Sequence, residues 1–129
     1  MHRFVAHTGE VQIEIEAPTE ARVFAEAARA LAEMIDGARG QAAVRELHLD
    51  AADRTSLLAE WLSELVFLAE TEAFVPERII ELDLADRSLH ATVGGHTGTP
   101  RHLVKAVTYH DLTLEDRDGR WFARVVLDV

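Results

Sequence analysis

The 129-residue chain contains no cysteine, and that absence removes disulfides, thiolate metal sites and cysteine nucleophiles at once. Proline is scarce, at three residues, and no Pro/Gly/Ser linker, low-complexity tract or internal repeat divides the sequence. No apolar run approaches membrane-spanning length, and the opening Met1-His2-Arg3-Phe4-Val5-Ala6-His7 lacks the apolar segment of a signal peptide. The expectation is therefore a single domain, residues 1–129, in the cytoplasm and without a membrane partner. Basic residues are the next deficit. Thirteen Lys and Arg stand against 23 Asp and Glu, a formal net charge of −10. A free-standing nucleic-acid binder takes most of its affinity from neutralising phosphates, so this balance argues against direct RNA or DNA binding. It suits plain solubility or docking onto a basic partner.

The common catalytic signatures are missing too. There is no Gly-rich phosphate loop, no G-x-S-x-G elbow and no H-E-x-x-H helix. Gly94-Gly95 has neither a following Lys nor a helix start. The serines, Ser56, Ser63 and Ser88, fall on a helix or at a strand start, and none resembles an activated nucleophile.

What is present is a well-patterned globular sequence, 48% apolar and 28% charged. Val11 to Glu16 alternates apolar and polar residues, the period of a strand with one buried face. Pro18-Thr19 breaks it, and Thr19 can cap a helix whose apolar face is Val23, Phe24, Ala27, Ala28, Leu31, Met34 and Ile35. Asp36-Gly37 reads as its stop, with glycine suited to the left-handed closing residue. A short strand is expected over Val44 to Leu49. Asp53 offers a second cap, before the stripe Leu57, Leu58, Trp61, Leu62, Leu65 and Leu68. Pro76 reads as a boundary, Ile79 to Leu84 and Ser88 to Val93 as strands joined by Asp86-Arg87, and Gly94 to Pro100 as a loop. Two long strands close the chain, His102 to Leu114 and Arg120 to Val129, around the hairpin signal Asp116-Arg117-Asp118-Gly119. The class is α+β: a mixed or antiparallel sheet with two main helices packed on one face.

Three groups of residues could carry chemistry. His96, His102 and His110 converge if the loop folds over the strand, which would permit a metal-dependent hydrolase, although their spacing matches no compact metal motif. Glu10 immediately precedes the first strand, while Asp128, the penultimate residue of the last strand, sits beside Val129 and its carboxylate. Oxygen-only sets of this kind suit Ca²⁺ or Mg²⁺, and a solvated chain end is the plainer account. On the strand around Tyr109, the period of two puts Lys105, Val107, Tyr109 and Asp111 on one face, and Val104, Ala106, Thr108, His110 and Leu112 on the other. That gives either half-buried packing or a polar and aromatic docking patch.

The run Val104-Lys105-Ala106-Val107-Thr108-Tyr109-His110-Asp111-Leu112, the acidic turn, Gly119-Arg120-Trp121 and the close Val125-Val126-Leu127-Asp128-Val129 resemble the C-terminal signature of the archease family. His7-Thr8-Gly9-Glu10 is similar to the family's His-Thr-Ala-Asp opening. Val23 to Ala28, Leu58 to Leu65 and Thr71-Glu72 have counterparts there as well. The resemblance implies an archease-like fold and a non-catalytic activator of the tRNA-splicing RNA ligase, promoting ligase guanylylation and repeated turnover in tRNA splicing or RNA repair. RNA would be met only through the ligase. It also implies a divalent cation, typically calcium in the family, held by Glu10, Asp128 and Val129. Partner contact would fall to His7, Lys105, Tyr109 and His110. Glu10 departs from the family's Asp by one methylene, a change that the flexible coordination of Ca²⁺ tolerates better than that of Mg²⁺. Gly9 replaces Ala and adds backbone freedom. An archease-fold adaptor for another partner is the remaining alternative.

Overall fold

In the computed structural model, which describes residues 1–37 and 39–129, the elements run β1 (His2–His7), β2 (Glu10–Ala17), α1 (Glu20–Ile35), β3 (Ala42–Asp50), α2 (Arg54–Glu72), β4 (Phe74–Leu84), β5 (Ser88–Thr97), β6 (Ala106–Arg117) and β7 (Arg120–Asp128). The strands form two sheets, ordered β1-β2-β7-β6 and β3-β5-β4, and every pairing is antiparallel. Both helices touch strands of both sheets, so each sheet turns one face to the helices and the other outward. The fold is α+β, as the patterning implied. The division into two sheets is decided by long-range pairing, which local periodicity does not encode.

Both helices start where side-chain oxygens meet orphan backbone N–H groups. Thr19 Oγ1 accepts from Arg22 N at 3.2 Å, and Asp53 Oδ1 accepts from Ser56 N at 2.7 Å. The first helix ends on Asp36 itself, which takes the left-handed conformation (φ 43°) and donates its N–H to Ala32 O at 3.0 Å. The expected stop therefore holds with Asp36, not Gly37, as the turning residue. Asp is one of the few side chains that tolerate this region.

The stripe on α2 is buried along its whole length, and Trp61 is fully inside. Its indole Nε1–H donates to Phe24 O at 2.8 Å, which fixes α2 against α1 as well as filling the core. Ile13, Ile15 and Ala17 of β2, with Ala123, Val125 and Leu127 of β7, face the same core. Residues between them on these strands face outward.

Three expectations need correction. Pro76 lies inside β4, not at a boundary. That strand is an edge, and its register shifts between Pro76 and Arg78, the setting in which a missing N–H is tolerated. Gly94 to Thr97 continue β5 where a loop was expected. A Cβ at Gly95 would lie 2.1 Å from Val75 O, and one at Gly94 would lie 2.8 Å from the Arg78 guanidinium carbon. These glycines serve close approach of neighbouring chains, not a turn. Conversely, His102 to Lys105 are not strand, and β6 begins at Ala106. The hairpin after it is as expected: Asp118 and Gly119 both have positive φ, 54° and 85°, the geometry of a tight two-residue connection.

Candidate functional site

The β1–β2 turn and the end of β7 meet at one end of the four-stranded sheet. Cross-strand register sets His7 opposite Glu10, Glu10 opposite Asp128, and Asp128 opposite Ala106. Since Ile13 and Ile15 point into the core, Glu10 shares the outward face with Gln12 and Glu14, and Asp128 shares it with Val126 and Arg124. Directly opposed residues have Cβ atoms about 5 Å apart, so the two half-buried carboxylates stand side by side. Among the described residues neither enters an ion pair or a side-chain hydrogen bond.

Backbone bonds hold this corner together. Val129 N donates to Gly9 O at 3.1 Å, and Lys105 N donates to Asp128 O at 2.8 Å. The turn relies on Gly9 at φ 74°, where a side chain would be strained. His7, Glu10, Lys105, Asp128 and Val129, far apart in sequence, are thus neighbours. Two adjacent acids that enter no ion pair among the described residues suit a divalent cation in the oxygen-ligand class: the Glu10 and Asp128 side chains would hold it, with oxygens of Val129 beside them. Glu10, the residue that departs from the family pattern, lies in register with Asp128 all the same.

Tyr109 and His110 belong to a different setting. Thr108 pairs with Val126 and Thr113 with Arg124, so five steps along β6 oppose two along β7. The intervening residues bulge, with Asp111 at φ 55°. The strict alternation expected from Lys105 to Leu112 stops at Thr108, and the faces assigned beyond it do not hold. Within the bulge, Tyr109 donates its hydroxyl to Glu60 Oε1 at 2.6 Å, pinning the segment to α2. That bond, with burial and the Glu60 charge behind it, pushes the phenol up to about 12. Tyr109 is therefore a hydrogen-bond donor at any physiological pH. The exposed His110 lies 3.2 Å from Asp111 Oδ2.

The three histidines of the hydrolase reading are scattered. His96 sits on β5, His110 in the β6 bulge on the other sheet, and His102 in the connection between them. Among the described residues no group of three or more His, Cys, Asp or Glu side chains is arranged as a metal cluster. His96 is instead a buried histidine whose Nδ1 pairs with Glu77. That bond, opposed by a smaller burial effect and joined by the Arg39 charge, holds the Glu77 carboxyl below its usual range.

Sequence reasoning missed a groove of about 490 Å³ on the outward face of the four-stranded sheet, lined by residues that include Arg3, Glu14, Arg117, Phe122 and Arg124. The Arg117 guanidinium lies 3.7 Å from the Phe122 ring centroid. Glu14 bonds to Arg3 and sits 3.6 Å from Arg124. Burial works to raise the Glu14 carboxyl, but these cations and Gln12 outweigh it and keep it low. Only knowledge of the register collects these residues, which come from four strands.

Comparison with known proteins agrees over the whole length. The model of the Archease protein family (MTH1598/TM1083) matches residues 2–129. Protein archease of Methanothermobacter thermautotrophicus is 39% identical over 118 residues, covering 83% of each chain. Its counterpart in Pyrobaculum islandicum is 31% identical, covering 99% of this chain and 95% of that one. The solution structure of Methanobacterium thermoautotrophicum protein 1598 superposes with a TM-score of 0.72 at 29% identity, covering 99% of this chain and 98% of that one. The crystal structure of an archease, possible chaperone, from Thermotoga maritima gives a TM-score of 0.73 at 20% identity, covering 100% and 98%. At that identity it supports the fold alone.

Proposed function

The chain belongs to the archease family, and on that premise we propose that it is a protein cofactor of a tRNA-splicing RNA ligase. It promotes ligase guanylylation and multiple turnover without performing chemistry itself. The observation that carries this reading is the Glu10–Asp128 corner: two unpaired carboxylates, brought into one row from opposite ends of the chain, at the positions the archease resemblance marks as functional. A net charge of −10 favours a basic partner surface and leaves RNA contact to the ligase.

Calcium, bound by Glu10, Asp128 and Val129 oxygens, would supply charge neutralisation at this corner. The chain's own contributions are separable from the ion. Gly9 and Val129 close the corner through their backbone bond, and Lys105 is anchored beside Asp128 with its side chain exposed. His7 shares the row with Glu10, and Tyr109 holds the bulge on α2 with His110 exposed beside it. These side chains form the contact surface. No helix of the described residues is long and apolar enough to cross a membrane, and we place the protein in the cytoplasm with its ligase.

The test is ligase guanylylation and repeated ligation under limiting GTP and Mn²⁺, with and without this protein. Faster guanylylation and turnover beyond one ligation per ligase are expected. An unchanged rate with the cognate ligase overturns the assignment and leaves the adaptor for another partner.

A further inference from the structure

Among the apolar side chains that are more than half exposed, Phe67 (53%), Leu103 (63%) and Tyr109 (55%) come from α2, from the connection before β6 and from the β6 bulge. Helix α2 brings them together. Glu60, Ser63, Phe67 and Glu70 recur at steps of three and four, so they lie along one ridge about 15 Å long. Tyr109 is tied to the Glu60 end by its hydroxyl bond of 2.6 Å. At the other end Leu103 lines a small cleft with Val66, Ala69 and Glu70. Phe67 lies between these two attachments, one helical turn from Glu70.

This patch runs on into the Glu10–Asp128 corner. Leu103 is two residues before Lys105, a reach of at most about 7 Å, and Lys105 N donates to Asp128 O at 2.8 Å. The rim is acidic. Glu64 and Glu70 enter no ion pair among the described residues, whereas Glu72 is spent on Arg45. Glu10 and Asp128 are likewise unpaired. Arg101 faces Asp36 at 3.8 Å, and Lys105 stands as the patch's own cation. Nothing local calls for an aromatic at position 67, since Phe is a poorer helix former than Glu, Lys or Leu. Scattered exposed apolar residues need no explanation, but a contiguous set with a charged rim marks a contact surface.

We propose that Phe67 and Leu103 are the apolar anchors by which the chain docks on its ligase, each seated in a hollow of a basic partner face. The proposal rests on the ligase reading and adds to it a surface, next to the corner, that carries affinity. Charge selects this occupant. The chain stands at −10 overall, and the free carboxylates of the rim need cations opposite them, which a second, equally acidic copy does not offer. The labour divides accordingly. The acidic rim speeds encounter, the two anchors hold the complex together, and the Glu10–Asp128 corner acts on the ligase once docked. Tyr109, its hydroxyl committed to Glu60, shapes the edge of the patch.

Calorimetric binding of the full chain to the cognate ligase tests it, beside ligase guanylylation at rising concentrations of this protein. Phe67→Ala and Leu103→Asp each weaken binding at least about tenfold, with melting temperatures close to that of wild type. Guanylylation with both recovers at saturating concentration, whereas Asp128→Ala fails to activate however much is added. Leu103 lies outside every helix and strand, so its variant reports docking even where Phe67→Ala loosens α2. Val44→Ala and Ile80→Ala, at positions each 51% exposed on the three-stranded sheet, leave binding unchanged. Wild-type affinity in both Phe67→Ala and Leu103→Asp, while the wild type binds and activates, overturns the docking surface and leaves the ligase reading standing. An equal loss of affinity in the Val44 and Ile80 variants means nonspecific adhesion and overturns it too. A wild type that neither binds nor activates overturns the ligase reading, and the docking surface with it.

Discussion

Replacing Asp128 by Asn removes one of two carboxylates that lie directly opposite each other, with no cation paired to either among the described residues. Removing a charge usually costs a protein something. Here it is expected to stabilise the metal-free protein. At a separation of about 6 Å, repulsion between two unit charges is about 0.7 kcal/mol in a water-like medium and about 3 kcal/mol at an effective dielectric near 20. Both side chains are half-buried on an outward face, so the relief lies nearer the lower limit, about 1 kcal/mol. For a domain of this size that raises Tm by about 3–5 °C. Thermal unfolding followed by circular dichroism in excess chelator measures it directly. Calcium should reverse the order. The wild type gains about 2.7 kcal/mol at a calcium concentration a hundred times Kd, and the Asn variant gains far less. An Asn variant that is less stable in chelator, or one that responds to calcium as strongly as wild type, refutes the reasoning.

Other outcomes follow from the packing. Gly95→Ala would push a Cβ to 2.1 Å from Val75 O, so it should cost at least about 2 kcal/mol in denaturant unfolding; a neutral result would mean the β4–β5 spacing is looser than described. Trp61→Phe removes the bond to Phe24 O and leaves space in the core, for an expected loss of about 2 kcal/mol; a loss near zero would detach that bond from helix packing. Acid stability should depend on Glu14 and Glu77, whose folded carboxyls are held below the ordinary value of 4.5. Their contribution is fully present above that value and disappears as pH falls through the lower folded one. Glu14→Gln and Glu77→Gln should therefore flatten the loss of stability on acidification, and parallel pH profiles for variants and wild type would contradict it.

Helix α1 with its Thr19 and Asp36 caps and the stripe from Leu57 to Leu68 were legible because capping and a 3.6-residue period are local signals, and the Asp118-Gly119 turn because its chemistry is nearly unique. Pro76 and Gly94-Gly95 misled for the same reason in reverse. Composition marks them as breakers, but a bulged edge strand and a close inter-strand approach can each absorb such residues. The Thr108–Thr113 bulge left no composition signal and rearranged the faces of the strand that bears Tyr109. At the candidate site, Glu10, Asp128 and Val129 came from family resemblance and from adjacency at a chain end. What joins them is antiparallel register between β2 and β7, which no local window contains. The same holds for the Arg-lined groove around Phe122. Each depends on which strands lie side by side.

The most direct test of the central claim compares wild type with Asp128→Ala in multiple-turnover RNA ligation by the cognate ligase, with the melting temperature of each recorded in parallel. The account predicts that the variant keeps its fold and loses activation. Full activation by Asp128→Ala, or a loss of activity that merely tracks a loss of thermal stability, would contradict it.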